Sequence, residues 1–289
     1  MKDRLRFATL ADTPLEMIKN TFQEAFSDYE IPVNLTIDSL RTMMVGRDIQ
    51  LNRSVGCFDG DALVGFILCG CRESAEGPIL YDGGTGVLPS HRGEGIATRM
   101  LTWLLEREEP VGTGSFILEV LEHNTKAIEL YGKAGFVTSR FLRCFKIDKS
   151  SIPLSLSCPC DISPMTRSSY EVLDHLRYLS HVPAWQNAVP SVLNNWDNYI
   201  ALEVEDSDGI VGFGMVHKTT GDIPQLAVGR DGEYFDCLVD ALARSTGSLS
   251  LGLINVEDGS LLSNLLVQKG WKNVINQYEM VYRYTSSKA

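Results

Sequence analysis

The stretch Gly86-Val-Leu-Pro-Ser-His-Arg-Gly-Glu-Gly-Ile-Ala97 constrains this chain more than any other. An apolar run, Ile79–Val87, reads as a strand leading into it. Gly95–Arg107 has the pattern of a helix leading out. Gly93 and Gly95 let the backbone turn sharply and approach a ligand closely. The helix that follows presents unpaired N–H groups and the positive end of its dipole. Such a turn cradles a phosphate or pyrophosphate. It is neither a dinucleotide fingerprint, since G-x-G-x-x-G is absent, nor a P-loop, since the Gly-Lys-Ser/Thr ending is missing. A fold that holds it must set a strand and a helix end to end around an anion site.

The rest of the first half supplies such a fold. Leu5–Thr9 reads as a short strand, Leu15–Phe26 as a helix, and Ile37–Val45 as another. Ser54–Phe58 and Leu63–Cys71 are apolar runs joined by Asp59-Gly60-Asp61, a hairpin signal. Phe116–Leu121 has the composition of a buried strand. Thr125–Ala134 is helical and ends at Gly135, and Phe141–Ile147 is a last strand. Alternating strands and helices predict a mixed α/β sheet.

A second segment bears chemistry: Leu118-Glu-Val-Leu-Glu-His-Asn124-Thr-Lys-Ala-Ile-Glu-Leu-Tyr131-Gly-Lys-Ala-Gly135-Phe136. Asn124 suits the N-cap of the helix after the strand. Taken together, the two segments resemble the GCN5-related N-acetyltransferase (GNAT) family. Arg92-x-x-Gly95-x-Ala97 matches its R/Q-x-x-G-x-G/A loop, with Ala97 where glycine is commoner. Leu118–Phe136 is similar to the form found in ribosomal-protein alanine acetyltransferases.

The resemblance implies acetyl-CoA as donor and an amine as acceptor. By position, the amides of Gly93, Glu94, Gly95, Ile96 and Ala97, with Arg92 and Thr98 beside them, would hold the pyrophosphate. The strand edge at Gly86, Val87 and Leu88 would pair with the pantetheine arm. Asn124 would contact the donor, and Tyr131 would stand near its sulfur. Transfer needs a base for the ammonium, stabilisation of the oxyanion, and a proton for the thiolate. Glu119 is the candidate base, with Asp82 and Glu122 as rivals. Tyr131 can protonate a thiolate without being ionised at pH 7. Direct attack is expected, which leaves Cys69 and Cys71 no nucleophilic role. His91 and His123 read as surface or packing residues. A different class of reading is a non-catalytic acyl-CoA sensor or a scaffold.

The second half repeats the element order loosely. Val211-Gly212-Phe213 echoes Val64-Gly65-Phe66, and Lys269-Gly270-Trp271 echoes Ala134-Gly135-Phe136. Its counterpart of the glycine turn, Leu226-Ala-Val-Gly-Arg-Asp-Gly-Glu-Tyr234, has lost the loop pattern, and Glu233 brings an acid toward the phosphates. Leu266 stands at the place of Tyr131, and Glu119 shows no counterpart. The expected organisation is therefore two tandem GNAT-like domains: a catalytic one at 1–147, a Ser/Pro-rich linker at 148–160, and a degenerate one at 161–289. His181–Trp196, with Trp185 and Trp196, supplies candidates to line an acceptor cleft.

A net charge of −11 argues against nucleic acid as partner. No run of about 18 apolar residues predicts a membrane span, and MKDRLRFATLADTP lacks a secretory pattern. A cytoplasmic monomer or homodimer is expected. Cys69/Cys71 and Cys158/Cys160 lack the spacing and the histidines of a zinc site, so no metal is expected.

Overall fold

The structure is a computed structural model, which describes residues 4–28, 35–152, 160–207, 209–229 and 231–284. Two compact units divide the chain. One takes residues 1–139 together with 279–289, and the other takes 140–278.

The first unit runs β1 (Leu5–Thr9), α1 (Leu15–Ala25), α2 (Ile37–Gly46), β2 (Val55–Asp59), β3 (Ala62–Arg72), β4 (Ile79–Val87), α3 (Ile96–Glu108), β5 (Ser115–Leu121) and α4 (Thr125–Lys133). In α1 the buried residues Ile18, Thr21, Phe22 and Ala25 recur at helical spacing. They lie on the sheet, where Phe22 stacks on Phe66 of β3 at 5.3 Å. Thr36 starts α2 with a reciprocal capping pair to Ser39. The β2–β3 hairpin turns at Gly60, whose φ of 59° suits glycine. β3 is buried from Leu63 through Cys71, so both faces of this strand are covered.

The second unit begins within β6 (Val137–Asp148). It continues through β7 (Asp161–Pro164), α5 (Arg167–Val172), α6 (His175–Tyr178), α7 (Val189–Asn194), β8 (Tyr199–Asp206), β9 (Gly209–His217), β10 (Leu226–Ala227), α8 (Phe235–Ser245), β11 (Ser250–Glu257) and α9 (Leu261–Gln268) into β12 (Lys272–Arg283). β7, β8, β9 and β10 form an antiparallel sheet in the order β10-β9-β8-β7. β6 pairs antiparallel with β11. Phe235, Leu238, Val239 and Leu242 of α8 fill the core between these strands.

The units are not cut at one point in the sequence. The first unit's strand order β1-β2-β3-β4-β5 is extended by the end of β12, so its last strand comes from 279–283. There Tyr282 packs on Phe136 at 5.5 Å, and the Tyr284 N–H donates to the Gly114 carbonyl at 3.1 Å. β6 spends its residues 140–148 in the second unit. Of the segment 148–160, Asp148 closes β6 and Lys149–Ser151 form one 3-10 turn. Residues 153–159, Cys158 among them, lie outside the described residues.

Two histidines tie the second unit's stability to pH: burial lowers the pKa of His181 as it does that of His175. His175 packs edge-on against Tyr170 at 4.2 Å, and its Nε2 is buried without a hydrogen-bond partner. Burial pushes its pKa below 6.5, against the opposing pull of Asp174 and of a hydrogen bond to Tyr170. The unfolded chain therefore takes up a proton near pH 6.5 that the folded one refuses. Stability is full above that pH and falls as pH drops through it. Trp196, 5.3 Å from the Tyr170 ring, reports the melting by fluorescence. The expected result is a midpoint that falls from about pH 7 to 5.5 and falls less in His175→Phe. Equal slopes in both proteins would remove His175 from the account.

Candidate functional site

The site starts from a failure of strand pairing. β4 pairs with β3 along its whole length, but with β5 only from Ile79↔Ser115 to Tyr81↔Ile117. Beyond that both strands continue, β4 to Val87 and β5 to Leu121, and their paired register has ended. A shift in the β3–β4 register at Leu68/Cys69, opposite Asp82–Gly84, bends β4 away. The result is a fork with two strand edges facing into it. An extended chain can add between such edges by main-chain hydrogen bonds.

Gly86 lies on the β4 arm, where a Cβ would come within 2.7 Å of the Phe66 ring, so this position is glycine for packing. Val87 and Leu88 complete the arm, and the Leu88 N–H donates to the Val64 carbonyl at 2.9 Å. Past a 3-10 turn at Pro89–His91 the chain reaches Gly93 (φ 83°) and Gly95 (φ 72°). Both open onto space, with nothing within 4 Å of the place a Cβ would take. Gly95 caps α3 with no side-chain hydrogen bond. The leading amides of α3 therefore have no side-chain partner from the cap, with Glu94 and Thr98 exposed and Ala97 half-buried around them. Ile96 is the anchor, buried beside Gly65.

Arg92 points the other way. Its guanidinium donates to the Asp28 carboxylate at 2.5 and 2.9 Å, to the Ala25 carbonyl at 2.7 Å and to the Val87 carbonyl at 3.2 Å. It ties the turn to the end of α1 and holds the Asp28 carboxyl below its usual range. His91 sits 3.5 Å from Asp59, and His123 is exposed.

Two acid–phenol pairs stand at the apex of the fork. Successive β4 residues face opposite sides of the sheet. On one side the Tyr81 hydroxyl donates to Glu119 of β5 at 2.5 Å. On the other, the hydroxyl of Tyr131 from α4 donates to Asp82 at 3.0 Å. Asp82 also accepts from the Gly84 N–H at 2.9 Å and the Thr85 hydroxyl at 2.6 Å. Burial raises its pKa; the bonds from Thr85, Tyr131 and Gly84, and the charge of Arg47, oppose the rise. Tyr131 is buried against Phe136 at 5.6 Å. Asn124 caps α4, accepting from the Ala127 N–H at 3.2 Å. Glu122 is exposed beyond the end of β5. Burial pushes the Cys69 thiol well above its ordinary pKa, which suits a packing residue. Among the described residues no three His, Cys, Asp or Glu side chains gather as metal ligands, and no helix is long and apolar enough to cross a membrane.

The matching place in the second unit is filled by its own chain. There the chain just before β10 meets β11, the Ile223 N–H donating to the Gly252 carbonyl at 2.7 Å, and β10 itself does not pair with β11. Asn187 bridges the gap: its Nδ2 donates to the Ile254 carbonyl and its carbonyl accepts from Gln225 Nε2, both at 2.7 Å. Trp185 is buried beside it, and Arg140 holds the Val182 carbonyl at 2.5 Å. The cavity left among Pro183, Asn187, Leu226 and Ile254 measures about 10 Å³. At the counterpart of the glycine turn, the Glu233 carboxylate accepts from the Asp231 N–H at 3.0 Å and covers Gly229. Trp196 packs on Tyr170.

Sequence reasoning missed the Asp82–Tyr131 contact, the inward turn of Arg92 and the Asn187 plug. It also missed Asn255, which stands five residues before the N-cap Ser260 as Glu119 stands five before Asn124. Offsets from the helix caps would have found it. Asn255 is fully buried and accepts from Gln277 at 2.8 Å; as an amide it is no base.

Residues 15–136 match the model of the acetyltransferase (GNAT) family. No curated protein matches the chain by sequence. Among solved structures, a GCN5-related N-acetyltransferase from Sphaerobacter thermophilus is similar over 98% of this chain and 96% of its own, with a TM-score of 0.71 at 16% identity. A tandem GNAT protein from the clavulanic acid biosynthesis pathway aligns over 98% of this chain and 100% of its own, with a TM-score of 0.70 at 13% identity. A GCN5-related N-acetyltransferase from Anabaena variabilis aligns over 98% and 73%, with a TM-score of 0.68 at 13% identity. At such identities these likenesses speak for the fold, here a tandem one.

Proposed function

Because residues 15–136 match the model of the acetyltransferase (GNAT) family, we propose that this protein moves an acetyl group from acetyl-CoA to a primary amine of a small molecule or peptide, by direct attack and in the cytoplasm. One observation carries the reading: the β4–β5 fork opens beside the uncapped start of α3, with Glu119 and Tyr131 at its apex. The pantetheine arm adds to the β4 edge at Gly86–Leu88. The amides of Gly93–Ala97 hold the pyrophosphate. Asn124 borders the donor from the start of α4.

Glu119 takes the proton of the bound ammonium, directly or through water. Tyr131 returns a proton to the departing thiolate. The catalytic domain is the part at 1–147, and the degenerate part at 161–289 binds no donor, because Asn187 bridges the strands where its fork would open and the Glu233 carboxylate repels a phosphate at its turn. The test is a screen of amine acceptors read by release of free coenzyme A, with calorimetry for the donor. The expected results are one donor bound per chain and a kcat lowered about 10²-fold by Tyr131→Phe, as general acids contribute, with donor binding kept. Two donors per chain, or an unchanged kcat, would overturn the corresponding assignment.

A further inference from the structure

Asp82 occupies the position at which the fork begins, one residue past the last β4–β5 pair. It is 8% exposed, yet three donors converge on its carboxylate: the Tyr131 hydroxyl, the Thr85 hydroxyl and the Gly84 N–H. Cys69 lies across from it on β3, and Arg47 at the end of α2 binds the neighbouring Gly83 carbonyl at 2.6 Å. No salt bridge neutralises Asp82 among the described residues. A carboxyl so placed has two accessible states. Burial favours the neutral acid, and the three donors favour the anion.

We propose that Asp82 is a positioning residue for the transfer reaction: it fixes the Tyr131 phenol at the fork and resupplies it with a proton once the phenol has protonated the leaving thiolate. The proposal rests on the transferase reading above.

The protons balance. The ammonium sheds two on becoming an amide. Collapse of the tetrahedral adduct breaks the C–S bond, and the sulfur takes the phenol proton. A phenolate 3.0 Å from an ionised carboxylate would set two anions side by side with no proton between them. A neutral Asp82 avoids this by passing its proton to the phenolate oxygen. It is then left as the anion that Gly84, Thr85 and the restored Tyr131 hydroxyl hold, which is the arrangement seen. Of the two amine protons, the first leaves through Glu119 to solvent, and the second, shed by the nitrogen of the adduct, reloads Asp82. Because the neutral acid is the working form, kcat falls as pH rises through the Asp82 pKa.

The experiment measures kcat against pH for the intact protein, Asp82→Asn, Tyr131→Phe, the double variant and Thr85→Val. Asp82→Asn is expected to lower kcat about tenfold, less than removal of the acid itself, to leave the donor KM in place and to abolish the high-pH limb. In the Tyr131→Phe background it should cost nothing more. Thr85→Val, at a half-buried position, removes one bond to the carboxylate and should move the limb to higher pH. If Asp82→Asn lowers kcat by the same factor with and without Tyr131, Asp82 is merely structural and the proposal falls. It falls equally if the limb stays put in Thr85→Val. A donor-free readout separates this from the transferase reading. The Tyr131 phenol, taken as the ultraviolet titration difference between the protein and Tyr131→Phe, should ionise at lower pH once Asp82 is asparagine. An unmoved titration ends the pairing, whereas a protein that acetylates no amine ends the transferase reading.

Discussion

A Gly95→Pro variant is expected to lose acetyl-CoA binding while its sheet and helices persist. Gly95 sits at φ 72°, and proline is locked near −65°. The turn cannot be kept, so the amides that start α3 no longer converge on one point. The surroundings tolerate the change, because nothing lies within 4 Å of the position and Ile96 still anchors the helix. Calorimetric titration should show at least a 100-fold weaker dissociation constant, the order of several charge-assisted hydrogen bonds. Circular dichroism should match the parent protein. A folded variant with an unchanged constant would remove the turn from donor binding.

A fragment ending at residue 147 should fail to fold on its own. It contains β1 to β5 and β6, but the strand that flanks β5 in the first unit is the end of β12. Without it the β5 edge stands bare, although Phe116, Leu118 and Val120 are buried in the intact unit. An apolar edge of this kind aggregates. Expression of 1–147 should give insoluble protein or one without a cooperative melt. Joining residues 272–284 after 139 through a flexible linker should restore both. If 1–147 is a soluble monomer that melts cooperatively near the temperature of the full chain, the exchanged strand is dispensable.

Much of this is legible in the sequence alone, for reasons that differ between residues. Ile79–Val87 has the predicted bounds because a turn signal closes each side of the run. β6 begins at Val137, four residues ahead of the apolar run Phe141–Ile147. Val137, Thr138 and Ser139 are exposed, so pairing with neighbours, not burial, makes them strand. The glycine turn was legible because only glycine tolerates its φ values. The partner of β12 was not, since alternation says which face is buried and nothing about which sheet is joined. Arg92 illustrates a second limit. A motif names a residue type, but its direction was settled by Asp28 on a different element. Asn187 belongs to a segment without periodicity, so its bridge between two strands left no trace in the pattern.

A cleft filled by its own chain has no empty state to populate. The 182–187 segment is tethered to the strands it bridges, so dilution cannot remove it. The β4–β5 fork gains stabilisation only by mass action, as RT ln(1 + [L]/Kd), about 2.7 kcal/mol at a donor level 100-fold over Kd. On the transferase reading, donor supply would stabilise the first unit directly and reach the second only through β6 and β12, the strands both units use.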